Sequence, residues 1–436
     1  MIWRVDFPPF QAELSIIGGN ESRVIAPANT DPRKFLMHVY RTALKKVHGR
    51  LAVKRNLDCL AGTGPVYVAS IGKAAEAMML GALDRLDERT VRALVITKRG
   101  HLTGKIGSDH RLTCLEAAHP IPDQTSLEAG EALVRFIEQV PIDAQLLFLI
   151  SGGASSLVEV LPAGIGLDKL IRLNAWLLAS GLPIGAINSV RCAVSCIKGG
   201  RLAQVVDARR ALVLLISDVP DNNPAVIGSG LLAPPGSKPD LPAGLPRWIT
   251  ALVDQAPSVP AAAHPGIAAI EHHIIATNQM VLDGIINEYK HEVIDTFSIS
   301  GDAATAGTRL ADWLIDARPG LYLGGGETTV RLPDAPGQGG RCQQLALAAA
   351  MTFSGHRCIH VLAAGTDGTD GPGGAAGALV DGGTVERGTL QGLDARQCID
   401  AADAGRFLHA SGDIITTGPT GTNVMDVIIG LKTLCD

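Results

Sequence analysis

The segment LLFLISGGASS, residues 146–156, sets the fold class of this chain, because an uninterrupted apolar run ends abruptly in glycine and serine. Such a run is typical of a strand that is buried on both faces of a parallel sheet. Further segments share the pattern, the last of them less clearly: VYVASIGKA (66–74), LVLLISDVPDNNP (212–224), LYLGGGETT (321–329), IHVLAAGTDGTDGP (359–372), IITTGPTGTN (414–423) and VIDTFSISGD (293–302). Ligands of open α/β sheets bind at the carboxyl ends of the strands, so we expect these loops to converge on one polar cleft.

Helical patterns alternate with these apolar runs, which predicts βαβ units and an α/β fold with mostly parallel or mixed sheets. A chain of 436 residues exceeds what one hydrophobic core usually serves. Of its 25 prolines, 8 lie between Pro234 and Pro265, where we place the domain connection. We expect a Rossmann-like N-terminal domain at 1–235, a proline-rich connection at 236–267 and a C-terminal α/β domain at 268–436, with the active-site cleft between the domains.

Composition excludes several classes of protein. With 46% hydrophobic and 19% charged residues, the chain is not disordered. Its formal net charge of -5 argues against nucleic acid as a partner. No apolar stretch reaches the roughly 20 residues that span a bilayer, so we expect no membrane partner. The 8 cysteines lack the dense spacing of a secreted disulfide framework, which favours reduced thiols and a cytoplasmic location.

Lys73 follows the first apolar run at a strand-to-helix turn, where an ammonium and helix N-terminal amides could hold an anion. A solvated lysine in a tight turn is an equally good interpretation. The turn is not a Walker A loop, because Tyr67 stands where that motif has its first glycine and Ala74 follows the lysine.

The SGGASS turn offers backbone amides freed by glycine, together with serine hydroxyls, which is typical of an anion-binding nest. An ordinary glycine-rich turn is the alternative. An esterase nucleophile is not favoured, since the G-x-S-x-G elbow is absent. Downstream, Asn188, Arg191 and Lys198 follow helical spacing, and their cations slightly favour anion contact over a merely solvated face. Asp218 ends the next strand, where it could orient a hydroxyl, bind Mg²⁺ or simply cap a helix.

The second half carries three polar glycine segments within a short stretch: GGGETT (324–329), GQGGR (337–341) and GTDGTDG (365–371). Arg341 could clamp a phosphate with two N–H groups, and TGPTGTN (417–423) could form another phosphate cradle. His119 has no metal-ligand partner at a recognised spacing, so we interpret it as a structural histidine. A dinucleotide fingerprint is absent, because GPGGAA (371–376) follows no strand directly.

Taken together, the motifs resemble the glycerate 2-kinase family with a C-terminal MOFRL domain, here at about 317–430. They occur in the order of that family: SIGKAAEAM, AAHPIPDQTSLEAG, LISGGASSL, NSVRCAVSCIKGGRLA, ISDVPDNNPAVIGSG, GGGETTV, GQGGRCQQLAL, GTDGTDGP and TGPTGTN. The resemblance implies ATP-dependent, Mg²⁺-assisted phosphorylation of the 2-hydroxyl of D-glycerate, or of a closely related small hydroxyacid, to give 2-phosphoglycerate. Positioning and charge neutralisation are what phosphoryl transfer mainly requires.

The resemblance also implies roles for individual residues. Lys73 and Arg341 are the expected cations on the transferring phosphoryl group and the substrate carboxylate, and Asp218 is expected to orient the metal or the hydroxyl. The expected anion nest comprises Ser151, Gly152, Gly153 and Ser155, with Asn188, Arg191 and Lys198 beside it. The second domain is expected to contribute Glu327, Thr328, Asp367, Thr420, Gly421 and Asn423. Asp218 and Asp367 are the expected metal ligands.

The chain departs from the family at three motifs, one of which reads SGLL (229–232) where the family has SGPT. It has Asp221, Asn222 and Asn223 where the family reads SDVPGDDP, and Cys342 and Gln344 replace Asn and Glu. Amides bind Mg²⁺ more weakly than carboxylates do, so a different substrate or metal site is open. Two alternatives therefore stand beside the kinase: a hydroxypyruvate or tartronate-semialdehyde reductase, and a non-catalytic homologue that binds a nucleotide or sugar acid. The expected partners are a nucleotide and a small hydroxyacid, and a homo-oligomer is compatible with the sequence.

Overall fold

The computed structural model describes residues 31–60, 62–207, 209–233, 241–260, 264–268 and 270–434. Within these residues the chain forms two six-stranded sheets with helices around them. Residues 1–30 of the predicted N-terminal domain, and 236–240 and 261–263 of the predicted connection, lie outside the described residues.

The first sheet is entirely parallel, with strand order β3-β2-β1-β4-β5-β6. Its strands are β1 Val66–Ile71, β2 Thr90–Lys98, β3 Leu112–Ala117, β4 Gln145–Ile150, β5 Ala211–Ile216 and β6 Ile270–Ala276. Along β4, Leu147 and Leu149 pack into one hydrophobic core, and Phe148 packs into another on the opposite face. Both faces of this strand are therefore covered, as its continuous apolar sequence predicts.

The second sheet is mixed, with strand order β11-β10-β9-β12-β8-β7. Its strands are β7 Val293–Asp302, β8 Gly320–Thr329, β9 Ile359–Gly365, β10 Gly377–Asp381, β11 Ile414–Ile415 and β12 Asp426–Lys432. Only β7 and β8 pair in parallel, and the other neighbours are antiparallel. The predicted class of two α/β units with parallel or mixed sheets is confirmed.

Helices cover both sheets and also fill the space between them. They are α1 Pro32–Lys46, α2 Gly49–Asn56, α3 Ala75–Leu86, α4 Gln124–Glu138, α5 Ala154–Leu157, α6 Leu167–Ala179, α7 Ile184–Ala193, α8 Leu202–Val206, α9 Arg247–Val253, α10 Pro265–Ala268, α11 Asn278–Glu288, α12 Ala303–Asp316, α13 Arg341–Thr352, α14 Thr384–Leu390, α15 Ala395–Asp400 and α16 Ala404–Ser411. Residues of α1, α2, α3 and α11 share one core with strands of both sheets. A common layer of helices therefore joins the two sheets, and each sheet has a further core on its other face.

The chain path differs from the predicted domain boundaries. β6 follows the proline-rich segment yet pairs with β5 in the first sheet, so the predicted connection at 236–267 does not separate the two sheets. At the other end, α1 packs against the second sheet, where the Tyr40 hydroxyl donates to the Gly365 carbonyl at 2.8 Å. Proline excludes central strands but does not mark which sheet the following strand will join.

The GGGETT segment is not a loop, as the sequence pattern suggested, but the end of β8. Glycine is required here because neighbours occupy the space of a side chain. A Cβ on Gly324 would lie 2.3 Å from the Phe297 ring, and one on Gly325 would lie 1.8 Å from Asn278 Oδ1. VIDTFSISGD is likewise strand throughout, as β7. Polar, glycine-rich composition therefore reflects close packing at this edge of the second sheet.

Among the described helices, none has the combination of length and apolar character that crossing a membrane requires. Most of the described cysteines are free thiols. Cys358 is an exception, since it is disulfide-bonded, so the prediction of uniformly reduced thiols is wrong at this position.

Candidate active site

The candidate site is built first on the turn between β1 and α3, which carries Lys73. Gly72 has φ +125°, and a Cβ there would lie 2.2 Å from Ser151 Oγ, so the turn lies directly against the one that follows β4. The Ala74 amide donates to Ser151 Oγ at 3.0 Å, and the Lys73 amide donates to the Gly152 carbonyl at 3.0 Å. Ser151, predicted as an anion donor, thus also ties the two turns together.

Within the described residues, the glycines of the SGGASS turn have unpaired backbone amides and no side chain to fill the space beside them. In the described part of the chain, the Gly152 and Gly153 N–H groups have no hydrogen-bond acceptor. A Cβ on Gly152 would lie 1.9 Å from Asn423 Nδ2 and 2.0 Å from Asp218 Oδ2, so any side chain there would displace both groups. Free amides beside a carboxylate and a carboxamide form the polar nest that the sequence predicted.

Lys73 reaches across from the first half of the chain to the second. Its Nζ donates to Asp367 Oδ2 at 2.6 Å, and the two side chains are 15% and 7% exposed. Burial raises the pKa of Asp367, but the Lys73 ammonium and the hydrogen bonds from Lys73 and Thr369 together hold that pKa below its ordinary value. The ion pair therefore joins the β1 turn of the first half to the loop after β9 in the second half.

Asp218 lies in the same cleft, at the end of β5. Asn423 Nδ2 donates to Asp218 Oδ2 at 3.3 Å, which is a second link between the two halves. Burial raises the pKa of Asp218, and the charges of Lys73 and Arg341 oppose that rise. Because both cations act on this one carboxylate, Lys73 and Arg341 face a common region.

Arg341, at the start of α13, is held by two carboxylates. Its Nε and Nη2 donate to Asp426 at 2.6 and 2.8 Å, and Nη1 lies 3.0 Å from Glu327 Oε1. Burial lowers the pKa of Arg341, but the hydrogen bond to Asp426 and the negative charges of Asp426 and Glu327 together outweigh it, and the net shift is upward. A guanidinium has five N–H groups, so one on each terminal nitrogen remains for a ligand. Partial burial raises the pKa of Glu327, although its side chain is 44% exposed, and the Arg341 charge opposes that rise.

The second sheet brings these groups together although its strands alternate in direction. Asp426 begins β12 and pairs in register with Gly365, which ends β9, and with Gly326, near the end of β8. The start of an antiparallel strand lies at the same edge as the ends of its neighbours. The sequence analysis did not predict Asp426. The pattern that could have identified it is an acidic residue at the start of an apolar strand. Thr328, predicted to face the cleft, is buried near the end of β8.

Three of the predicted anion-binding residues line a small side cavity instead. Ser155, Arg191 and Lys198 line it together with Glu159. Lys198 Nζ donates to Glu159, and both side chains are almost fully buried. Arg191 Nε donates to Asn174 Oδ1 at 2.9 Å.

The predicted shared helical face is interrupted, because α7 ends at Ala193, before Lys198. Asn188 is half-buried on α7 and is not among the residues that line the cavity. The charge of Lys198 is compensated within the protein by a carboxylate that the sequence analysis did not include. Arg191 is thus the more available of the two cations.

His119, interpreted from sequence as structural, lies beside the glycine turn. A Cβ on Gly153 would lie 3.2 Å from His119 Nε2 and 3.2 Å from Lys73 Cγ. Burial, together with the charges of Lys73 and Lys98, lowers the pKa of His119 to about 3. A neutral imidazole therefore faces the cleft at physiological pH, and sequence spacing gave no sign of it.

The TGPTGTN loop lies against the first half of the chain. Thr420 Oγ1 donates to the Thr366 carbonyl, and the Gly421 carbonyl accepts from the Gly49 amide at 2.8 Å. Both residues line a further pocket beside Lys73. The predicted cradle therefore lies next to the cleft. Within this loop, Asn423 is the residue whose side chain reaches the cleft, at Asp218.

The departures from the family pattern have local structural roles. Asn222 has φ +51°, a left-handed conformation that Asn adopts more readily than most residues. Asn223 Oδ1 accepts from the Ala225 amide at 2.9 Å and so stabilises the turn after Asp218. Gln344 is buried, and its Nε2 donates to the Ile399 carbonyl at 2.8 Å, on the side of α13 that packs against α15. Gln344 therefore contacts the body of the second half rather than the cleft.

Together, the two sheets and this cleft define a two-part α/β protein with a polar candidate site, lined by cations, carboxylates and free amides, between its halves. Residues 35–243 match a domain of unknown function, DUF4147, and residues 320–426 match the MOFRL family. A D-glycerate 2-kinase of Thermotoga maritima is 34% identical over 92% of this chain and 98% of that protein. A relative from Agrobacterium vitis that bears a hydroxypyruvate reductase name is 33% identical over 84% of this chain and 98% of that relative.

Solved structures agree. A crystal structure of glycerate kinase from Thermotoga maritima matches with a TM-score of 0.77 at 32% identity, covering 92% of this chain and 99% of that one. The chain belongs to the glycerate 2-kinase family with a C-terminal MOFRL region.

Proposed function

We propose that this protein transfers the γ-phosphoryl group of ATP to the 2-hydroxyl of D-glycerate or a closely related small hydroxyacid. The observation that carries the proposal is the pair of links across the cleft, Lys73 to Asp367 at 2.6 Å and Asn423 to Asp218 at 3.3 Å. They place a cation, two carboxylates and free backbone amides around one space. The kinase names of the relatives support the same reaction.

The residues divide the work by charge. Lys73 and the free N–H groups of Arg341 neutralise the transferring phosphoryl group and the substrate carboxylate, while the Gly152 and Gly153 amides orient the anion. Asp218 accepts the hydrogen bond of the attacking hydroxyl and fixes its direction. No protein nucleophile is required, because the acceptor hydroxyl attacks the γ-phosphorus and ADP leaves.

A magnesium ion fits this site only as a companion of the nucleotide. Within the described residues, no cluster of three or more His, Cys, Asp or Glu side chains could hold a metal. Mg²⁺ usually needs one or two carboxylates in addition to phosphate oxygens and water. Asp218 fits that role because it has no salt-bridge partner among the described residues, whereas Asp367 is already paired with Lys73. When bound, the ion would neutralise phosphate charge.

The direct test supplies the purified protein with Mg-ATP and a panel of three- and four-carbon hydroxyacids. We expect ADP release that depends on D-glycerate, and 2-phosphoglycerate as the product by NMR or mass spectrometry. ADP release without any phosphorylated acid, or no turnover with any member of the panel, contradicts the proposal.

A second candidate, reduction of hydroxypyruvate or tartronate semialdehyde, is favoured by two observations. The first sheet has the strand order of dinucleotide-binding folds, and one relative bears a reductase name. The turn after β1, however, has Lys73 in place of the glycine fingerprint. Oxidation of NADH by hydroxypyruvate in the absence of ATP would support the reductase.

A cytoplasmic location and the oligomeric state remain predictions from the sequence. Cell fractionation tests the location, and size-exclusion chromatography with light scattering tests for a homo-oligomer. A non-catalytic homologue, the third alternative, is eliminated by any hydroxyacid-dependent ATP turnover.

A further inference from the structure

A second pocket of about 200 Å³ is lined by Lys73 and by no residue of the SGGASS turn. It is enclosed by the start of α2, the first turns of α3, the loop after β2 and the TGPTGTN loop of the second half. Lys73 lines this pocket and also reaches Asp367 in the cleft. A ligand that extends through both spaces would therefore pass Lys73.

Glu76 is the feature of this pocket that calls for a ligand. The residue lines the pocket and is only 6% exposed. Its Oε2 accepts from the Thr103 amide at 2.9 Å and from Thr103 Oγ1 at 2.7 Å, but its buried Oε1 has no hydrogen-bond partner. An unpaired buried acceptor destabilises the protein, so a ligand donor that hydrogen-bonds to it stabilises the complex.

The charged groups around Glu76 indicate which other chemical groups the ligand carries. Lys105 is exposed, lines the pocket and has no salt-bridge partner among the described residues. His101 is buried, and its Nδ1 lies 3.2 Å from the Lys73 carbonyl, to which it can only donate. Arg50 also lines the pocket, but Asp84 occupies its guanidinium at 2.7 and 2.8 Å. The pocket thus offers one interior acceptor and, in Lys105 and Lys73, two cations for a phosphate chain.

The combination of an interior carboxylate with two cations favours one of the two substrates of the proposed reaction over the other. A small hydroxyacid carries a carboxylate, which the Glu76 carboxylate would repel. A nucleoside is uncharged, and it has sugar hydroxyls and amines that can donate to Glu76 Oε1. Its phosphates would extend toward Lys105 and Lys73, and from Lys73 into the cleft.

We propose that this pocket binds the nucleoside portion of the phosphoryl donor, with Glu76 Oε1 accepting a hydrogen bond from a hydroxyl or amine of the nucleoside. The inference rests on the proposed kinase function and adds to it where the nucleotide lies. Glu76 is then a specificity-determining residue for the nucleotide and has no contact with the acceptor hydroxyacid.

The test compares Glu76→Gln with Glu116→Gln by isothermal titration with ADP. In Glu76→Gln the amide oxygen can still accept from Thr103, while the NH₂ group replaces the unpaired acceptor by a donor. We expect ADP to bind at least about tenfold more weakly, as for loss of a hydrogen bond to a charged group. Glu116 is the matched control. Its Oε1 accepts from the Gly100 amide at 2.8 Å, so it also binds the loop after β2, but Glu116 does not line the pocket.

Kinetics and a second variant complete the design. The KM for the hydroxyacid at saturating ATP should be unchanged in Glu76→Gln, and Lys105→Ala should weaken ADP by about threefold to tenfold. If circular dichroism shows that Glu76→Gln does not fold, the ADP affinity of Lys105→Ala, a substitution at an exposed residue, is the deciding measurement. Unchanged ADP affinity in the folded variants, or a change in the KM for the hydroxyacid alone, overturns the inference. A wild-type protein that binds no ATP or ADP instead overturns the proposed function itself.

Discussion

The two sheets bring polar groups to one cleft by different topologies. In the parallel first sheet, Lys73 and Asp218 each follow the carboxyl end of a strand. In the mixed second sheet, Asp367 follows the end of β9, whereas Asp426 stands at the beginning of β12. The edge of a sheet, rather than the direction of each strand, therefore decides which residues meet.

The two halves also differ in how they hold their cations. Lys73 has its carboxylate partner, Asp367, in the other half of the chain, while Arg341 is held by Asp426 and Glu327 from its own half. Lys198 is a third case, paired with Glu159 deep inside the first half. A cation whose carboxylate partner lies in the other half is available to a ligand between the halves. A buried cation that is paired within its own half, such as Lys198, contributes mainly to stability. The predictions below test that distinction.

Lys73→Ala should have the largest effect, on catalysis. Loss of a charge-stabilising group in a preorganised site typically lowers kcat by about 100-fold to 1,000-fold. The measurement is steady-state ATP turnover with D-glycerate, with circular dichroism to verify the fold. Lys46→Ala is the matched control, because Lys46 also forms a lysine–carboxylate pair, with Glu288 at 3.1 Å, but far more exposed to solvent. Near-normal turnover in Lys73→Ala would remove Lys73 from the mechanism.

Lys198→Met should act mainly on stability. The Lys198 side chain is 3% exposed, and its removal leaves the Glu159 carboxylate buried with only the Ser195 hydroxyl and a backbone amide as donors. Breaking a buried ion pair from one side costs about 3 to 5 kcal/mol in the free energy of unfolding, measured by urea denaturation.

Two variants make that measurement decisive. Arg135→Met breaks an exposed pair with Glu131 and should cost less than about 1 kcal/mol. Combining Lys198→Met with Glu159→Gln should restore part of the loss, because no uncompensated charge then remains. A stability loss no larger than that of Arg135→Met would show that the buried pair is not important for the fold.

The sequence was sufficient for the elements whose signal is local. The apolar run before SGGASS predicts β4 and its glycine turn, and the SIGKAAEAM pattern places Lys73 between β1 and α3, where the structure has it. These predictions succeed because a doubly buried strand and a helix rich in good helix formers are each specified within about ten residues.

Features that depend on partners distant in sequence were not predictable. GGGETT resembles a loop, yet it is the end of β8, and glycine is required at position 325 because Asn278 occupies the place of a side chain. The proline-rich segment resembles a domain boundary, yet β6 returns to the first sheet. Asp426 and Glu159 were missed for the same reason, since each is recognised only through the cation that it binds.

Asp426→Asn should have an intermediate effect on both stability and activity. Asp426 is 1% exposed and accepts two N–H groups of Arg341, so the amide leaves the guanidinium held mainly by Glu327. We expect a loss of about 2 kcal/mol in stability and about a tenfold lower kcat, from a guanidinium that is less well positioned. Glu327→Gln, at an exposed carboxylate, should cost less than about 1 kcal/mol. Full activity in Asp426→Asn would contradict a positioning role.

The smallest effect concerns Asp370, which is buried at the start of α13. Its carboxylate accepts the amides of Cys342 and Gln343 at 3.0 and 2.8 Å. Burial, reinforced by the nearby Asp426, raises the pKa of Asp370 to about 6. The folded protein therefore binds more protons at this site than the unfolded chain does between about pH 4 and 6. The stabilising contribution of Asp370 is complete below this window and is lost as the pH rises through it.

Asp370→Asn removes this dependence. The difference in unfolding free energy between wild type and Asp370→Asn should change by about 2 kcal/mol from pH 4.5 to 7, with the wild type relatively more stable at the lower pH and no effect expected on activity at pH 7. Asp109→Asn is the control, because Arg111 lowers the pKa of Asp109 to about 2, below that range, so its difference from wild type should stay flat. Urea titrations at several pH values provide the measurement, and parallel curves for wild type and Asp370→Asn would mean that Asp370 is ionised throughout. The same carboxylate would then hold the start of α13, and with it Arg341, equally firmly across the whole range.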